Sequence, residues 1–131
     1  MKRIATIFLS AFILNAIWEN LHSFLYVDYM NTQITEVILL RAALADAVMI
    51  TIISLPFVLF QSWKKQSWII ILLGFILAVS IEWWALGTGR WEYSAYMPII
   101  PFLYVGVTPA IQLGLLGYIS FKIQEYLVVH H

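Results

Sequence analysis

Apolar residues run in long blocks separated by short polar stretches, and uncharged tracts cover residues 4–18, 47–63, 66–81 and 93–121. A bilayer core is ~30 Å thick, so a spanning helix needs about 20 mainly apolar residues. Admitting polar residues near the tract ends predicts four spans, at residues 4–26, 35–60, 67–86 and 98–121. Backbone facing lipid must satisfy its own hydrogen bonds, so the spans are expected to be helices. The segments between them, 27–34, 61–66 and 87–97, are short. Short connections make consecutive helices antiparallel neighbours. The pattern therefore predicts an all-α fold, an integral membrane four-helix up-down-up-down bundle forming one transmembrane domain over residues 1–131.

Local signals refine the ends. Asn31 and Thr32 are placed to cap the second span, with Glu36 in its first turn. Gly87-Thr88-Gly89 supplies a left-handed stop after the third. Pro98 and Pro101 open the fourth, and Pro109 inside it predicts a kink that frees a carbonyl near Val105. Small residues predict close helix packing: Gly106, Ala110, Gly114 and Gly117 in the fourth span, Gly74 and Ala78 in the third, Ala43 and Ala47 in the second. The stripe Gly106/Ala110/Gly114 serves packing within the bundle, or alternatively a homodimer.

Composition narrows the class. Hydrophobic residues make up 63% of the 131 and charged residues 11%, against about 25% charged in an average soluble domain. The mean hydropathy is +0.89. These values exclude a disordered chain and a nucleic-acid binder and leave membrane lipids as the expected surroundings. With no cysteine there is no disulfide, thiolate metal site or thiol nucleophile. No cofactor is expected.

Charge sets the orientation. Lys2, Arg3, Lys64, Lys65 and Lys122 fall on one side and only Arg90 on the other, so both termini are expected to be cytoplasmic in a multi-pass plasma (inner) membrane protein. Trp63 and Trp68 mark the inner boundary, and Trp83, Trp84 and Trp91 the outer one. Lys2-Arg3 before an apolar run also suits a signal peptide, but the run is long and ends in Asn15, Glu19 and His22, so an uncleaved span is expected. His130 and His131 carry no functional weight.

The chemistry lies in ionisable residues inside the spans, each costing ~2.5–3.5 kcal/mol to insert. They are Glu19 and His22 in the first span, Arg41 and Asp46 in the second, and Glu82 in the third. At ~1.5 Å per residue, Glu19 and Glu82 both lie ~22 Å above the inner boundary and His22 ~27 Å. Arg41 lies ~7 Å and Asp46 ~15 Å below the outer boundary. All five fall at or above the midplane. Asn15, Glu19, His22 and Tyr26 share one stripe of the first span. Arg41 and Asp46 point about 140° apart, which favours Glu19, His22, Asp46 and Glu82 as the cluster over Arg41.

Three roles suit this cluster. Ion pairs and hydrogen bonds would fix helix register in a purely structural protein. Glu19-x-x-His22 has the spacing of a carboxylate metal bundle, with Asp46 and Glu82 as further ligands, although such bundles need two of these motifs. An outward-opening pocket would use Glu19, His22, Asp46 and Glu82 as acid–base groups and Asn15, Arg41, Trp83, Arg90 and Trp91 to hold an isoprenoid-like lipid. A proton-coupled carrier working as a dimer would use the same parts. Arg90-Trp91-Glu92-Tyr93 would close over the cluster, with Arg90 on Glu82, Glu19 or an anionic headgroup, or would anchor at the interface. Dinucleotide, P-loop, His-Glu-x-x-His and Gly-x-Ser-x-Gly motifs are absent.

Overall fold

The computed structural model describes residues 2–29 and 35–129. Four long helices dominate: α1 (Lys2–His22), α2 (Glu36–Leu59), α3 (Ile69–Gly87) and α4 (Val107–Val129). Four short strands lie between them: β1 (Tyr26–Tyr29), β2 (Trp91–Tyr93), β3 (Ile99–Ile100) and β4 (Val105–Gly106). Of the helices, α1, α2 and α3 are long and apolar enough to cross a membrane. A 3₁₀ segment at Gln61–Gln66 links α2 to α3.

The fourth helix corrects the expected span 98–121. Pro98 and Pro101 do not open it; residues 99–106 instead form a small hairpin in which Ile99 pairs with Gly106 and Ile100 with Val105. The Val107 amide donates to the Pro98 carbonyl at 2.7 Å, which ties the hairpin to the helix start. Phe102 and Tyr104 take left-handed φ values of 72° and 57° to close the turn, at ~1–2 kcal/mol each. Pro109 is therefore the third residue of α4, where its missing amide breaks no helical bond, and the expected kink has no basis there. The proline inside a helix is Pro56, near the end of α2.

The outer connections are also more regular than loops. β1 pairs antiparallel with β2, matching Tyr26 with Tyr93, Asp28 with Glu92 and Tyr29 with Trp91 around one irregularity. The left-handed stop after α3 is present: Gly89 has φ 73°, and the Arg90 amide returns to the Ala85 carbonyl at 2.8 Å. At α2 the cap is Thr35, whose Oγ1 accepts from the Ile38 amide at 3.4 Å. Asn31 and Thr32, expected in that role, lie outside the described residues.

Helix α1 lies along α2 and α4, and α3 lies along α4, whereas α2 barely meets α3. Toward one end a core of Ile7, Ala47, Ile50, Phe57, Ile70, Leu116 and Phe121 fills the space between all four helices. Small residues allow the closest approach. A Cβ on Gly74 would overlap the Gly114 backbone, and one on Gly114 would overlap the Ile71 carbonyl oxygen. The glycine stripe of α4 thus faces α3 of the same chain. Because α4 touches all three other helices, it turns Gln112, Ser120 and Gln124 inward as well as Leu113 and Phe121. A helix so covered by protein needs less apolar surface, which is why it falls outside the set apolar enough to cross.

Candidate functional site

Near the other end, where α2 and α3 diverge, the helices enclose a cavity of about 330 Å³. Helix α2 supplies Ile38, Ala42, Ala45 and Met49 as its central stripe, with Arg41 on one flank and Asp46 on the other. The 140° between Arg41 and Asp46, which keeps them from both aiming straight inward, lets both line the cavity from opposite flanks. The methyl groups of Ala42 and Ala45 leave the room. Glu19 enters from α1, Ala78, Ile81 and Glu82 from α3, Gln112 and Leu113 from α4, and Tyr26 and Trp91 from the ribbon.

One wall is a polar network around Gln112. Its side-chain nitrogen lies 2.7 Å from Asn15 Oδ1, 2.9 Å from Glu19 Oε1 and 2.8 Å from Asp46 Oδ2. An amide has two N–H groups, so three acceptors exceed its donors. Gln112 thus draws the Glu19 and Asp46 carboxyls to one amide nitrogen. Two carboxylates on one nitrogen repel each other, so a proton on one of them relieves this wall. Asn15 donates its own amide to the Ala11 carbonyl at 2.7 Å, which fixes its oxygen toward Gln112.

His22 stands behind this wall and outside the cavity lining. Its Nε2 is 3.0 Å from Glu19 Oε2 and its Nδ1 3.0 Å from Thr108 Oγ1. Thr108 Oγ1 also lies 3.6 Å from Met97 Sδ. The Nε2 contact gives His22 a route to pass a proton to or from Glu19. Glu19 therefore sits between His22 on one side and, through Gln112, Asp46 on the other.

Glu82 is held quite differently. It is 3% exposed and has no basic partner among the described residues. Its Oε1 accepts from the hydroxyls of Tyr26 at 2.8 Å and Tyr93 at 2.9 Å, and its Oε2 from the Trp91 indole at 2.8 Å. The Gly106 amide donates to the Tyr93 hydroxyl at 3.0 Å, which passes the polarisation on. The β1–β2 ribbon exists at this spot because its rings are tied to Glu82 and packed edge-on, Tyr26 against Trp91 with centroids 6.0 Å apart.

Burial first, and the nearby Glu82 charge second, push the hydroxyls of both Tyr26 and Tyr93 well above the ordinary tyrosine range. A group whose pKa rises on folding contributes stability below its unfolded value, near 10, and loses it as the pH climbs through the folded value. Folding stability is thus expected to fall above about pH 10. In a spectrophotometric titration at alkaline pH, replacing Tyr26 and Tyr93 together by Phe should leave the early-ionising tyrosine signal unchanged; a loss of that signal would show that these hydroxyls titrate normally.

Among the residues expected at the site, Glu19, Asp46, Glu82, Arg41 and Trp91 line the cavity, while Asn15 and His22 support it from behind. Two do not join it. Trp83 is 53% exposed and donates to the Leu103 carbonyl at 2.8 Å, holding the β3–β4 hairpin. Arg90 lies over the Trp84 ring at 4.5 Å rather than on Glu82 or Glu19, because the tight turn at Gly89 directs it outward. The metal arrangement is not assembled: among the described residues no three His, Asp or Glu side chains group as ligands, since Glu82 is held by the ribbon and His22 has both nitrogens engaged. Gln112 had a visible signal, as an amide in a long uncharged tract, and Tyr93 belongs to the segment expected to close over the cluster; the contacts that Tyr93 and Thr108 make depend on the ribbon and hairpin.

Fold and site together define a helical protein with membrane-type helices around a polar-walled cavity. No match to this chain was found among protein-family models, curated proteins or solved structures.

Proposed function

We propose that this chain is a multi-pass plasma-membrane protein, an up-down-up-down four-helix bundle with both termini cytoplasmic, whose outer-half cavity performs acid–base chemistry on an isoprenoid-type lipid. The observation that carries this is Glu19 held between the His22 ring and the Gln112–Asp46 pair at the wall of a largely apolar void. Such a wall can give a proton at one carbon of a double bond and take one at a neighbouring carbon. Glu19, recharged by His22, gives the proton, and Asp46 takes one; the double bond shifts, and no redox partner is needed. Glu82, locked by three neutral donors, keeps its negative charge facing the void and stabilises positive charge developing on the chain.

A carrier needs a path to the other face, but the space beneath the cavity is filled by Ile50, Ile70, Leu116 and Phe121, which favours a closed-bottomed pocket. A purely structural role leaves the void between Ala42, Ala45 and Ala78 without purpose.

The test is proton exchange. Protein in lipid nanodiscs is incubated in heavy water with unsaturated isoprenoid alcohols and the lipids are read by mass spectrometry. Deuterium incorporation is expected with the native protein and a loss of at least about a hundredfold with Glu19→Gln, within the range for removal of a general acid. Equal incorporation by both, or by neither, removes the acid–base assignment. Loss of thermal stability in Glu19→Gln with no exchange by the native protein would instead support register-fixing.

A further inference from the structure

Arg41 is not used by the chemistry above. It lies on the flank of α2 opposite Asp46, at the side where α2 and α3 part, about 7 Å below the outer end of α2. Among the described residues it has no carboxylate partner. Its guanidinium, at the exposed edge of the lining, is therefore open to an anion in the cavity. The cavity is thus bipolar, with a cation at its edge and the Glu19 and Asp46 carboxyls at its inner wall.

Size and shape limit what can bridge them. A cavity of about 330 Å³ is at the small end for a ligand pocket and too small for a whole lipid. The remainder of a long ligand must lie outside. Helices α2 and α3 scarcely touch, and Ile38 and Ile81, one from each, line the cavity, whereas below it Ile50, Ile70 and Gly117 close the helices together.

Resting on the pocket proposed above, we infer that the ligand is an anionic-headed amphiphile that enters sideways from the bilayer between α2 and α3, its phosphate paired with Arg41 and its unsaturated chain laid against Glu19 and Asp46. A phosphate accepts two parallel N–H bonds from a guanidinium, a geometry a lysine ammonium reproduces only in part. The shared chemistry is a phosphate on an apolar chain, either a prenyl monoester or the diester of a bilayer phospholipid.

Competition binding by native mass spectrometry in a neutral detergent tests this, with farnesyl phosphate, farnesol and phosphatidylglycerol as probes. Farnesyl phosphate should bind the native protein at least about tenfold tighter than farnesol. Arg41→Gln should erase that advantage and Arg41→Lys restore part of it, with the melting temperature unchanged in both. Phosphatidylglycerol displacing farnesyl phosphate identifies the source as a bilayer lipid, and failure to displace it identifies a monoester; either sustains the inference. Equal binding of farnesol and farnesyl phosphate, or an advantage that survives Arg41→Gln, overturns it. Ala45→Leu, which fills the void, separates the two levels. If it blocks farnesol while the phosphate gives no advantage, only the headgroup assignment fails. If it leaves both ligands bound, the pocket itself fails too.

Discussion

Gly114→Ala is expected to cost about 3 kcal/mol or more of folding stability, at the upper end for overpacking. The added methyl would overlap the Ile71 carbonyl oxygen and press on its Cα, 3.1 Å away. These are backbone atoms of α3 and cannot rotate aside, so the helices must separate. Separation also opens the contact of Gly74 with Gly114 and loosens Ile70 against Gly117. With little hydrophobic drive between helices in lipid, close packing is what holds α3 to α4.

Two other glycines calibrate the effect. At Gly106 a methyl would meet the Met97 thioether, a flexible chain end that can move, so the cost should be smaller. At Gly87 nothing lies within 4 Å, and alanine should leave stability unchanged or slightly raised. Chemical unfolding in mixed micelles, followed by circular dichroism, orders the three. A Gly114→Ala midpoint equal to that of Gly87→Ala would show that α3 and α4 are not in backbone contact.

The second large effect is local. Glu82→Leu removes the acceptor shared by the Tyr26 and Tyr93 hydroxyls and the Trp91 indole, and each buried hydrogen bond lost in this way costs about 1–3 kcal/mol. The ribbon lies at the end of the helices and can escape this cost by opening to water, so the loss should appear as local detachment. Amide exchange across residues 26–29 and 91–93 is expected to accelerate by about a hundredfold, equivalent to ~2.7 kcal/mol, while the inner core around Phe57 and Phe121 stays protected.

Glu82→Gln separates charge from hydrogen bonding. The amide oxygen can still accept from both tyrosines, but its NH₂ then faces the Trp91 N–H, donor against donor. Exchange near Trp91 should rise by roughly tenfold, more than near Tyr26. Unchanged ribbon exchange in Glu82→Leu would mean that strand pairing alone holds β1 to β2.

Much of this was legible in the order of residues. Length and hydropathy placed α1, α2 and α3 to within a few residues, because a membrane-sized apolar run has one stable backbone solution. Gly89 announced its stop, since a left-handed φ at the end of a helix is cheap only for glycine. The common level expected for Glu19, Glu82 and Arg41, with Asp46 at the midplane, followed from rise per residue.

Position along a helix is a local quantity; which neighbour a flank meets is not. The 140° between Arg41 and Asp46 argued against a joint role only until a cavity between two neighbouring helices could receive both flanks. Pro98, Pro101 and Pro109 fit a helix start at 98 as well as one at 107; the pairing of Ile99-Ile100 with Val105-Gly106 decides for the later one. The partners of Glu82 were invisible for the same reason, as Tyr26 and Tyr93 lie 67 residues apart in sequence and meet only through the β1–β2 register. The chain by itself determined helix type, the extent of α1, α2 and α3, and the spacing of charges along each helix, because these depend on residues within a few turns. Which charges share a void, and which ring holds which carboxyl, rests on packing between distant segments, and only the folded arrangement decided it.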